Sequence, residues 1–440
     1  MAYKKLILVE LNEINFDLVR KYLHIFPDQF PGFERLVNGY GIQTTSEDSY
    51  DELEPWIQWV SVHTGKTFKE HNIFRLGDIA GSDHIQIFED LESRGYSVGC
   101  ISPMNAVNRL RNPSYFIPDP WTNTSPDRSW LSGILSSALS QAVKDNSRNY
   151  LSFKNTLVLL INLIRFARLK HYIIYFKLAI KSIGSPWRKA LFLDLFLHDL
   201  HFALLRIKPA NFSTLLLNAG AHIQHHYLFN SLPVQRLSPI QNPGWYISKN
   251  IDPFMEMLEV YDLIIRDFFT LSEFDSIIAT GLSQVPYDKN KFYYRLKAPE
   301  SFLSLFGIKF ASVSQLMTRD FVIYFSSECD SVAAENILRK IYSENDGSPI
   351  FGDINNRGLS IFLTLSYSCE ITSTTFITFD SEKFALKPHV VFVAIKNGMH
   401  HSKGYAFFTP GASKFAPKDG SHVKNLYYSI LNFFIDEPKG

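Results

Sequence analysis

Residues 6–15 read Leu-Ile-Leu-Val-Glu-Leu-Asn-Glu-Ile-Asn, an apolar run that becomes polar towards its end. A short, wholly apolar run predicts a buried strand over residues 6–9, and a helix is predicted over residues 16–22. In an open α/β sheet the ligand site lies beyond the carboxyl ends of the parallel strands. The polar residues Glu10, Asn12 and Asn15 are therefore candidates for a functional site, or else they cap the helix that follows.

Three further predicted strands are each followed by polar side chains. These strands are predicted over residues 213–218, 276–280 and 390–395. The polar residues at their ends are Asn218, His222, His225 and His226, then Thr280, Ser283 and Gln284, then Lys396, His400 and His401. A common site above the sheet accounts for this repetition.

The histidines of the first of these groups also have a helical spacing. His222, His225 and His226 fall at positions i, i+3 and i+4, which place side chains on one face of a helical turn. This arrangement suits metal ligands or acid–base groups. The alternative is a set of surface or hydrogen-bonded histidines without a joint role.

The order of elements predicts an α/β protein with a mostly parallel central sheet flanked by helices. The first half of this core is predicted over residues 1–126, which end in a segment rich in Pro, Asn, Asp and Ser. Residues 127–210 are predicted to form a basic helical insertion, or cap. The second half is predicted over residues 211–440 and includes a small α+β subdomain at about residues 290–385.

The predicted insertion is strongly basic. Between residues 151 and 208 there are ten Lys or Arg against two acids, Asp194 and Asp199, and the segment carries long apolar runs. Such a segment is either a solvated cap or a surface for anionic lipid or a phosphate-bearing substrate. A peripheral membrane contact through residues 151–208 is therefore one expectation. No apolar stretch approaches the length of a membrane span.

The composition also sets limits on function. The net charge of +1 gives no nucleic-acid signature, so no nucleic-acid partner is expected. Cys100, Cys329 and Cys369 are far apart and odd in number, which favours a reducing compartment over a disulfide framework. The first apolar run leads into Glu10 rather than into a cleavage site, so no signal peptide is expected. We therefore expect a cytoplasmic protein, with any membrane contact at the inner face of the membrane.

The order and spacing of these segments resemble the type I phosphodiesterase and phosphatase branch of the alkaline phosphatase superfamily. In that branch the first strand ends in an acidic metal ligand, and Glu10 stands in that place. A helix with a Thr-Gly end and a following His-Gly-Ile turn come next. They are matched by Thr64 and Gly65, and by His71 with Asn72 in place of the glycine. The resemblance implies the mostly parallel α/β fold of the superfamily.

Two later turns extend the resemblance. The family's Asn-x-x-Asp-x-x-x-His turn is matched by Asn218 and His225, with Ala221 at the position of the acid. Its last Gly-x-His-x-x-x-Gly turn is matched around His400. The resemblance thus implies that Glu10, His225 and His400 are the ligands of one divalent metal ion, zinc or manganese. The alternative is a metal-free site in which His225 and His400 polarise the anion.

The sequence also departs from the superfamily's pattern. Pro55 stands near the position of its Ser or Thr nucleophile, with Glu54 adjacent, and its Asp-His metal-ligand pair is missing at residues 280–283. The resemblance covers about residues 1–100 and 211–440. A covalent phosphoryl transfer across two zinc ions is therefore not expected, whereas two histidines and a carboxylate suffice for one divalent ion.

These features favour an enzyme that hydrolyses or transfers an anionic ester group. Its substrate would be a phosphate or sulfate ester, or another anionic sugar- or lipid-linked molecule, and a bacterial role in surface polysaccharide biosynthesis is an expectation from resemblance alone. The catalytic candidates are Glu54 or His222 as base and Lys396 to neutralise developing charge. The substrate-binding candidates are Asn12, Gln58, Asn218, Gln284 and His401. The alternative is a degenerate relative that binds a ligand or partner without catalysis.

Overall fold

The computed structural model describes most of the chain, over residues 4–144, 152–316 and 319–436. Residues 145–151, which belong to the predicted insertion, therefore lie outside the described residues. The mixed α/β architecture with a mostly parallel central sheet, predicted from the sequence, is confirmed.

The strands of the described residues, in chain order, are β1 (Leu6–Leu11), β2 (Tyr40–Thr45), β3 (Val98–Ile101), β4 (Tyr115–Ile117), β5 (Phe212–Leu217), β6 (Asp275–Ala279), β7 (Ser283–Leu296), β8 (Ser312–Gln315), β9 (Asp320–Tyr324), β10 (Tyr342–Ser343), β11 (Phe351–Asn356), β12 (Ser360–Leu365), β13 (Phe376–Phe379), β14 (Glu382–Ala385), β15 (Val390–His401), β16 (Lys403–Phe408) and β17 (Ser421–His422).

The α-helices are α1 (Phe16–Ile25), α2 (Pro31–Val37), α3 (Pro55–Thr64), α4 (Phe68–His71), α5 (Ile87–Ser93), α6 (Trp130–Lys144), α7 (Phe153–Phe166), α8 (Tyr172–Lys181), α9 (Pro186–Ile207), α10 (Ala219–Tyr227), α11 (Leu232–Leu237), α12 (Pro253–Phe268), α13 (Pro299–Leu305), α14 (Glu328–Leu338), α15 (Pro410–Ser413) and α16 (Asn425–Ile435).

The chain divides into two compact units. The first comprises residues 1–237, 250–286 and 398–440, and the second comprises residues 238–249 and 287–397. Strands β7 and β15 pair as a two-stranded ribbon, and along each of them the chain passes from one unit into the other. No helix of the described residues has both the length and the apolar composition needed to cross a bilayer.

The first unit is built on an eight-stranded sheet of order β17-β2-β16-β6-β1-β5-β3-β4. The five neighbouring strands from β6 to β4 are parallel, and β16 runs antiparallel to both of its neighbours. All six residues of β1 are buried. A strand that is covered on both faces needs a continuous apolar run rather than an alternating one, which explains its sequence.

Two groups of helices pack with this sheet. Helices α3, α5 and α16 contact one another, and α2, α9, α10 and α12 form a second connected group. Helix α9 spans 22 residues, buries thirteen of them and contacts β5. It is therefore a core helix of the α/β unit, although it belongs to the segment that was predicted as a cap. Its burial follows from its Leu- and Phe-rich sequence, which has apolar residues on most of its circumference.

The second unit has an antiparallel architecture of its own. A four-stranded sheet of order β11-β12-β9-β8 and a three-stranded sheet of order β10-β13-β14 are formed within it. Helices α13 and α14 belong to the same unit, and buried apolar residues such as Phe302, Ile323 and Leu363 form its core.

Candidate metal centre

Three side chains with metal-ligand chemistry meet in the first unit. Glu13 Oε2 lies 3.2 Å from His225 Nε2 and 3.1 Å from His400 Nε2, and the two Nε2 atoms are 3.3 Å apart. The residues come from the turn after β1, from α10 and from the end of β15. Among the described residues, this is the one group of three or more His, Cys, Asp or Glu side chains close enough to hold an ion.

These separations match the spacing of ligands around a single ion. Tetrahedral bonds of about 2.0 Å place ligand atoms about 3.3 Å apart, and octahedral bonds of about 2.1 Å place them about 3.0 Å apart. Two imidazole nitrogens and one carboxylate oxygen also form a donor set that leaves a coordination position open for a substrate. The residues present therefore fit one divalent metal ion.

The second nitrogen of each histidine faces an oxygen acceptor. His225 Nδ1 lies 3.4 Å from the carbonyl oxygen of Gly398, and His400 Nδ1 lies 3.6 Å from Glu54 Oε2. A carbonyl oxygen only accepts hydrogen bonds, so the first contact requires the proton on Nδ1. With its proton on Nδ1, a neutral His225 turns the lone pair of Nε2 towards the carboxylate of Glu13. A metal ion, or a second proton on the ring, is then needed between the two atoms.

Glu13 is held in an uncommon backbone conformation. Its φ of +63° lies in the left-handed region, which costs a non-glycine residue about 1 kcal/mol or more. Its N–H donates to the carbonyl of Thr280 at 3.0 Å, and its own carbonyl accepts from Gln224 Nε2 at 2.8 Å. Hydrogen bonds from two other segments thus offset this strain.

Amide side chains surround the carboxylate of Glu13. Gln284 Nε2 donates to Oε2, and Asn12 Nδ2 donates to Oε1 at 3.2 Å. Asn12 also donates to Asn218 Oδ1 at 2.7 Å and accepts from Trp59 Nε1 at 2.7 Å. These bonds fix the orientation of the carboxylate towards the histidines.

The charge state of Glu13 follows from opposing effects. Burial acts to raise the pKa of Glu13, but His225 and His400 lower it by charge and by hydrogen bonding, and their joint effect is larger. The pKa of Glu13 therefore lies well below its ordinary value. The group is a carboxylate at neutral pH, as a metal ligand must be.

A glycine brings β15 close to α10. A Cβ atom on Gly398 would lie 2.2 Å from Gln284 Oε1 and 2.6 Å from the backbone oxygen of Gln224. Because the second of these atoms belongs to a helix backbone, no larger residue fits without a shift. Gly398 therefore positions the strand end that carries His400.

Adjacent residues of β15 face opposite sides, which distinguishes His400 from its neighbour. His400 is 6% exposed and points into the cluster. His401 is exposed, and its Nδ1 accepts from the backbone N–H of Lys403 at 3.1 Å. His401 is therefore not part of the cluster, and its substrate-binding role stays a prediction.

Glu10, the predicted acidic ligand, is not part of the cluster. It is fully buried within β1, where Thr214 Oγ1 donates to it and His63 Nε2 lies 3.2 Å away. The reason is the length of β1, which continues to Leu11 and keeps Glu10 inside the sheet. Glu13 is the first acid beyond the strand end, and the rule that sites lie off the carboxyl ends of strands could have identified it.

The other predicted site residues divide between the cluster and places away from it. Glu54 is the N-cap residue of α3, and its side chain is 32% exposed beside His400. Gln58 is fully buried, and its Nε2 donates to the backbone oxygen of Glu52 at 3.0 Å. Asn12, Asn218 and Gln284 belong to the amide network described above.

His222 and Lys396, two predicted catalytic residues, are not members of the cluster of Glu13, His225 and His400. The ring of His222 packs against those of His226 and Tyr227, with centroids 4.8 and 6.2 Å apart. Burial, together with the nearby His225, lowers the pKa of His222 to about 4, so it is neutral at neutral pH. Lys396 belongs to the second unit.

The fit of a second metal ion is poor. Thr280 and Ser283 stand where the superfamily carries an Asp-His pair, and Thr280 Oγ1 instead accepts from the backbone N–H of Tyr405 at 3.0 Å. Pro55, at the start of α3, has no nucleophilic atom. The side chains around the cluster therefore support one metal ion and provide no covalent nucleophile at the start of α3.

Comparison with known proteins finds similar solved structures but no match by sequence. No protein-family model matches the chain, and no curated protein matches it either. The similar solved structures include phosphonoacetate hydrolase from Sinorhizobium meliloti 1021, with 12% identity, a TM-score of 0.42 and coverage of 98% of this chain and 96% of that one. Another is murine ectonucleotide pyrophosphatase/phosphodiesterase 5, with 10% identity, a TM-score of 0.40 and coverage of 98% and 94%.

A third is alkaline phosphatase from the Antarctic bacterium TAB5, with 10% identity, a TM-score of 0.36 and coverage of 99% of both chains. At such identities and scores no argument is drawn from the likeness, and no role of any residue is transferred from it.

Proposed function

We propose that the chain is a metal-dependent enzyme that hydrolyses or transfers an anionic ester group, of phosphate or sulfate, with one divalent ion at Glu13, His225 and His400. The observation that carries this proposal is the cluster itself. Three lone-pair-bearing atoms converge at 3.1–3.3 Å, while the opposite nitrogens of both histidines face oxygen acceptors. Either a divalent ion or protons on the two imidazole rings hold such an arrangement together, and the metal titration below separates the two cases.

Each part of the cluster has a distinct task in this proposal. When bound, the ion would supply positive charge to an anionic oxygen of the substrate. Glu54, partly exposed beside His400, takes the proton from an attacking water or acceptor hydroxyl. Because Pro55 leaves no nucleophile at the start of α3, direct displacement replaces a covalent enzyme intermediate. A sugar- or lipid-linked substrate of bacterial polysaccharide synthesis is a finer proposal that rests on the sequence resemblance.

Metal binding is the first test. The chelator-treated protein is titrated with zinc, manganese and iron(II) by calorimetry, and we expect one equivalent of at least one of them to bind. Glu13→Gln and His400→Ala should lower the affinity at least about a hundredfold, because each removes one ligand of three. His401→Ala is the matched control and should bind like the wild type. Equal binding by His400→Ala and His401→Ala would refute the proposed site.

Turnover is the second test. The metal-loaded protein is assayed on p-nitrophenyl phosphate, bis(p-nitrophenyl) phosphate and p-nitrophenyl sulfate. Glu54→Gln should lower kcat by about a hundredfold or more while metal affinity is retained, because the amide oxygen of Gln still faces His400 Nδ1 as an acceptor but does not take a proton. Unchanged turnover in Glu54→Gln would exclude Glu54 as the base.

A second candidate function is supported by the missing nucleophile. Pro55 at the start of α3 and the amide network around Glu13 also suit a degenerate relative that binds an anionic ligand through the ion without turnover. Metal binding without activity on all three ester classes would favour this candidate over the enzyme.

A further inference from the structure

Helix α7 exposes an apolar stripe. Leu157, Leu160, Ile161 and Ile164 lie at positions i, i+3, i+4 and i+7, and their exposed fractions range from 45% to 72%. This spacing normally marks the buried face of a helix. The opposite side of α7 is already packed, because Asn162 and Phe166 are buried and α7 contacts α6 and α9.

Helix α8 and the residues beside it repeat this pattern. Ile173, Phe176 and Ile180 are exposed along α8, and Leu169 and Ile183 flank it, with exposed fractions from 57% to 88%. The inner side of α8 is occupied by other residues, since Tyr175 and Leu178 are buried and α8 contacts α9. Both helices therefore present a second apolar face that their own fold does not cover.

The two stripes adjoin at the connection between the helices. Tyr172 Oη lies 3.4 Å from the backbone oxygen of Ile164, the last exposed residue of the α7 stripe. Together with Tyr172, the two stripes comprise ten large apolar side chains. Each exposes on the order of 100 Å², so the two stripes expose about 1,000 Å², against the few hundred Å² of the largest patch on a typical monomer.

The charged residues of the segment that carries these stripes all have one sign. Residues 152–185 contain six Lys or Arg and no Asp or Glu. Lys154, Arg165, Lys177 and Lys181 are exposed on α7 and α8. Neighbouring acids are on α12, where Glu259 is within electrostatic reach of Lys177 and Lys181.

The remaining two cations of this segment are already engaged. Arg168 and Lys170 both contact Asp267 of α12. The exposed lysines and arginine on α7 and α8 are thus the cations available next to the apolar stripes.

We propose that α7 and α8 form a surface that lies in the interface of an anionic membrane. Exposed aliphatic and aromatic side chains at helical spacing, on two helices that carry lysines and no acids of their own, match the apolar immersion and the phosphate headgroups of such an interface. Lysine stems cover apolar surface while their charged ends reach the headgroups. The contact is peripheral, because no helix of the described residues is long and apolar enough to cross a bilayer. A protein partner would equally cover apolar area but gives no reason for a single sign of charge.

Vesicle sedimentation with the full chain tests this surface. We expect binding to phosphatidylcholine vesicles that contain phosphatidylserine, weaker binding to phosphatidylcholine alone, and a decrease at high salt. The triple variant Lys154→Gln, Lys177→Gln, Lys181→Gln should weaken binding on the order of a hundredfold, since one lysine near an anionic surface is worth about fivefold. The double variant Ile173→Asp, Phe176→Asp should weaken it more than a hundredfold, because two immersed side chains are lost.

Matched controls change the same chemistry at other exposed positions of the first unit. The double variant Ile85→Asp, Leu237→Asp is the control for the loss of apolar side chains. The triple variant Lys21→Gln, Lys69→Gln, Lys418→Gln is the control for the loss of charge. Unaltered thermal unfolding shows that all variants fold. The proposal is overturned if the wild type binds neither vesicle type, or if the variants bind like their controls. It is also overturned if sedimentation equilibrium shows a dimer that the Ile173→Asp, Phe176→Asp variant abolishes without vesicles, because the surface then joins two copies.

Discussion

At the scale of the residue, Gly398 has the tightest surroundings next to the candidate metal centre. In Gly398→Ala the new methyl group would meet the backbone oxygen of Gln224 at 2.6 Å, which cannot rotate away. We expect a loss of about 1–3 kcal/mol in the free energy of unfolding and a weaker metal affinity, because His400 follows two residues later. Urea unfolding and metal titration measure both effects. Gly81→Ala is the control, since its Cβ meets nothing within 4 Å, and an equal effect of the two variants would contradict this account.

His201 is a buried histidine with a predictable effect on acid stability. Burial, aided by His198, lowers the pKa of His201 to about 3 in the folded state, whereas an unfolded histidine titrates near about 6.5. Between these values the unfolded chain binds more protons, so stability falls as pH falls below about 6.5. By pH 5 the loss from this group is about 2 kcal/mol.

The variant His201→Gln removes this titration. Between pH 7 and pH 5 the unfolding free energy of the wild type should fall by about 2 kcal/mol more than that of the variant. Urea unfolding at the two pH values measures the difference. His24→Gln, at an exposed position, is the control and should keep the wild-type pH dependence. If the unfolding free energy of His201→Gln depends on pH as that of the wild type does, His201 is not held neutral in the folded state.

The identity of the acidic ligand is the feature that was least well predicted from the sequence. The sequence resemblance implies that His225 and His400 are ligands, and the structure brings the two side chains together. The acid was placed at Glu10 because the apolar run ends at residue 9. Strand β1 continues for two more residues through its pairing with β5 and β6, so the acid at the strand end is Glu13. Long-range pairing of this kind is not encoded in a local run of residues.

At the scale of the element, a buried hydrogen-bond network anchors α10, the helix that carries His225. Asp194 of α9 accepts from the N–H of Ala219 at 2.7 Å and from Tyr261 Oη at 2.6 Å. Tyr261 Oη in turn accepts from the N–H of Gly220 at 3.1 Å. Burial raises the pKa of Asp194 to about 6, so at neutral pH a carboxylate faces the positive end of α10.

Tyr261→Phe tests this anchor. It leaves the N–H of Gly220 unpaired in a buried place and removes one donor from Asp194. We expect the free energy of unfolding to fall by about 2–3 kcal/mol, as measured by urea unfolding. Tyr428→Phe, whose exposed hydroxyl makes a long 3.4 Å contact, should change it by about 0.5 kcal/mol at most. A loss below 1 kcal/mol in Tyr261→Phe would argue against the network.

Elements were easier to predict from the sequence than their roles. Strands β5 and β6 and helix α1 occur within a few residues of their predicted positions, because apolar periodicity is a local property. The incorporation of α9 into the core layer was not foreseen. Its basic neighbours suggested a cap, but what decides its place is contact with β5, α10 and α12, which a sequence pattern does not reveal.

At the scale of the whole molecule, the candidate metal ligands are separated by nearly the full chain, at residues 13, 225 and 400. An ion that binds them only in the folded state stabilises that state by about 2.7 kcal/mol at a hundredfold excess over its dissociation constant. We expect the thermal unfolding midpoint to rise with added metal in the wild type and in His401→Ala, and to stay unchanged in His400→Ala. A rise of equal size in His400→Ala would place the ion elsewhere.

The central claim is that Glu13, His225 and His400 form one metal centre. It is tested most directly by an anomalous difference map of zinc-soaked crystals, collected on both sides of the zinc absorption edge. The account predicts a single peak about 2.0–2.2 Å from Glu13 Oε2 and from the Nε2 atoms of both histidines. A map without a peak at this place, or with its peak between Glu10 and His63, would contradict it.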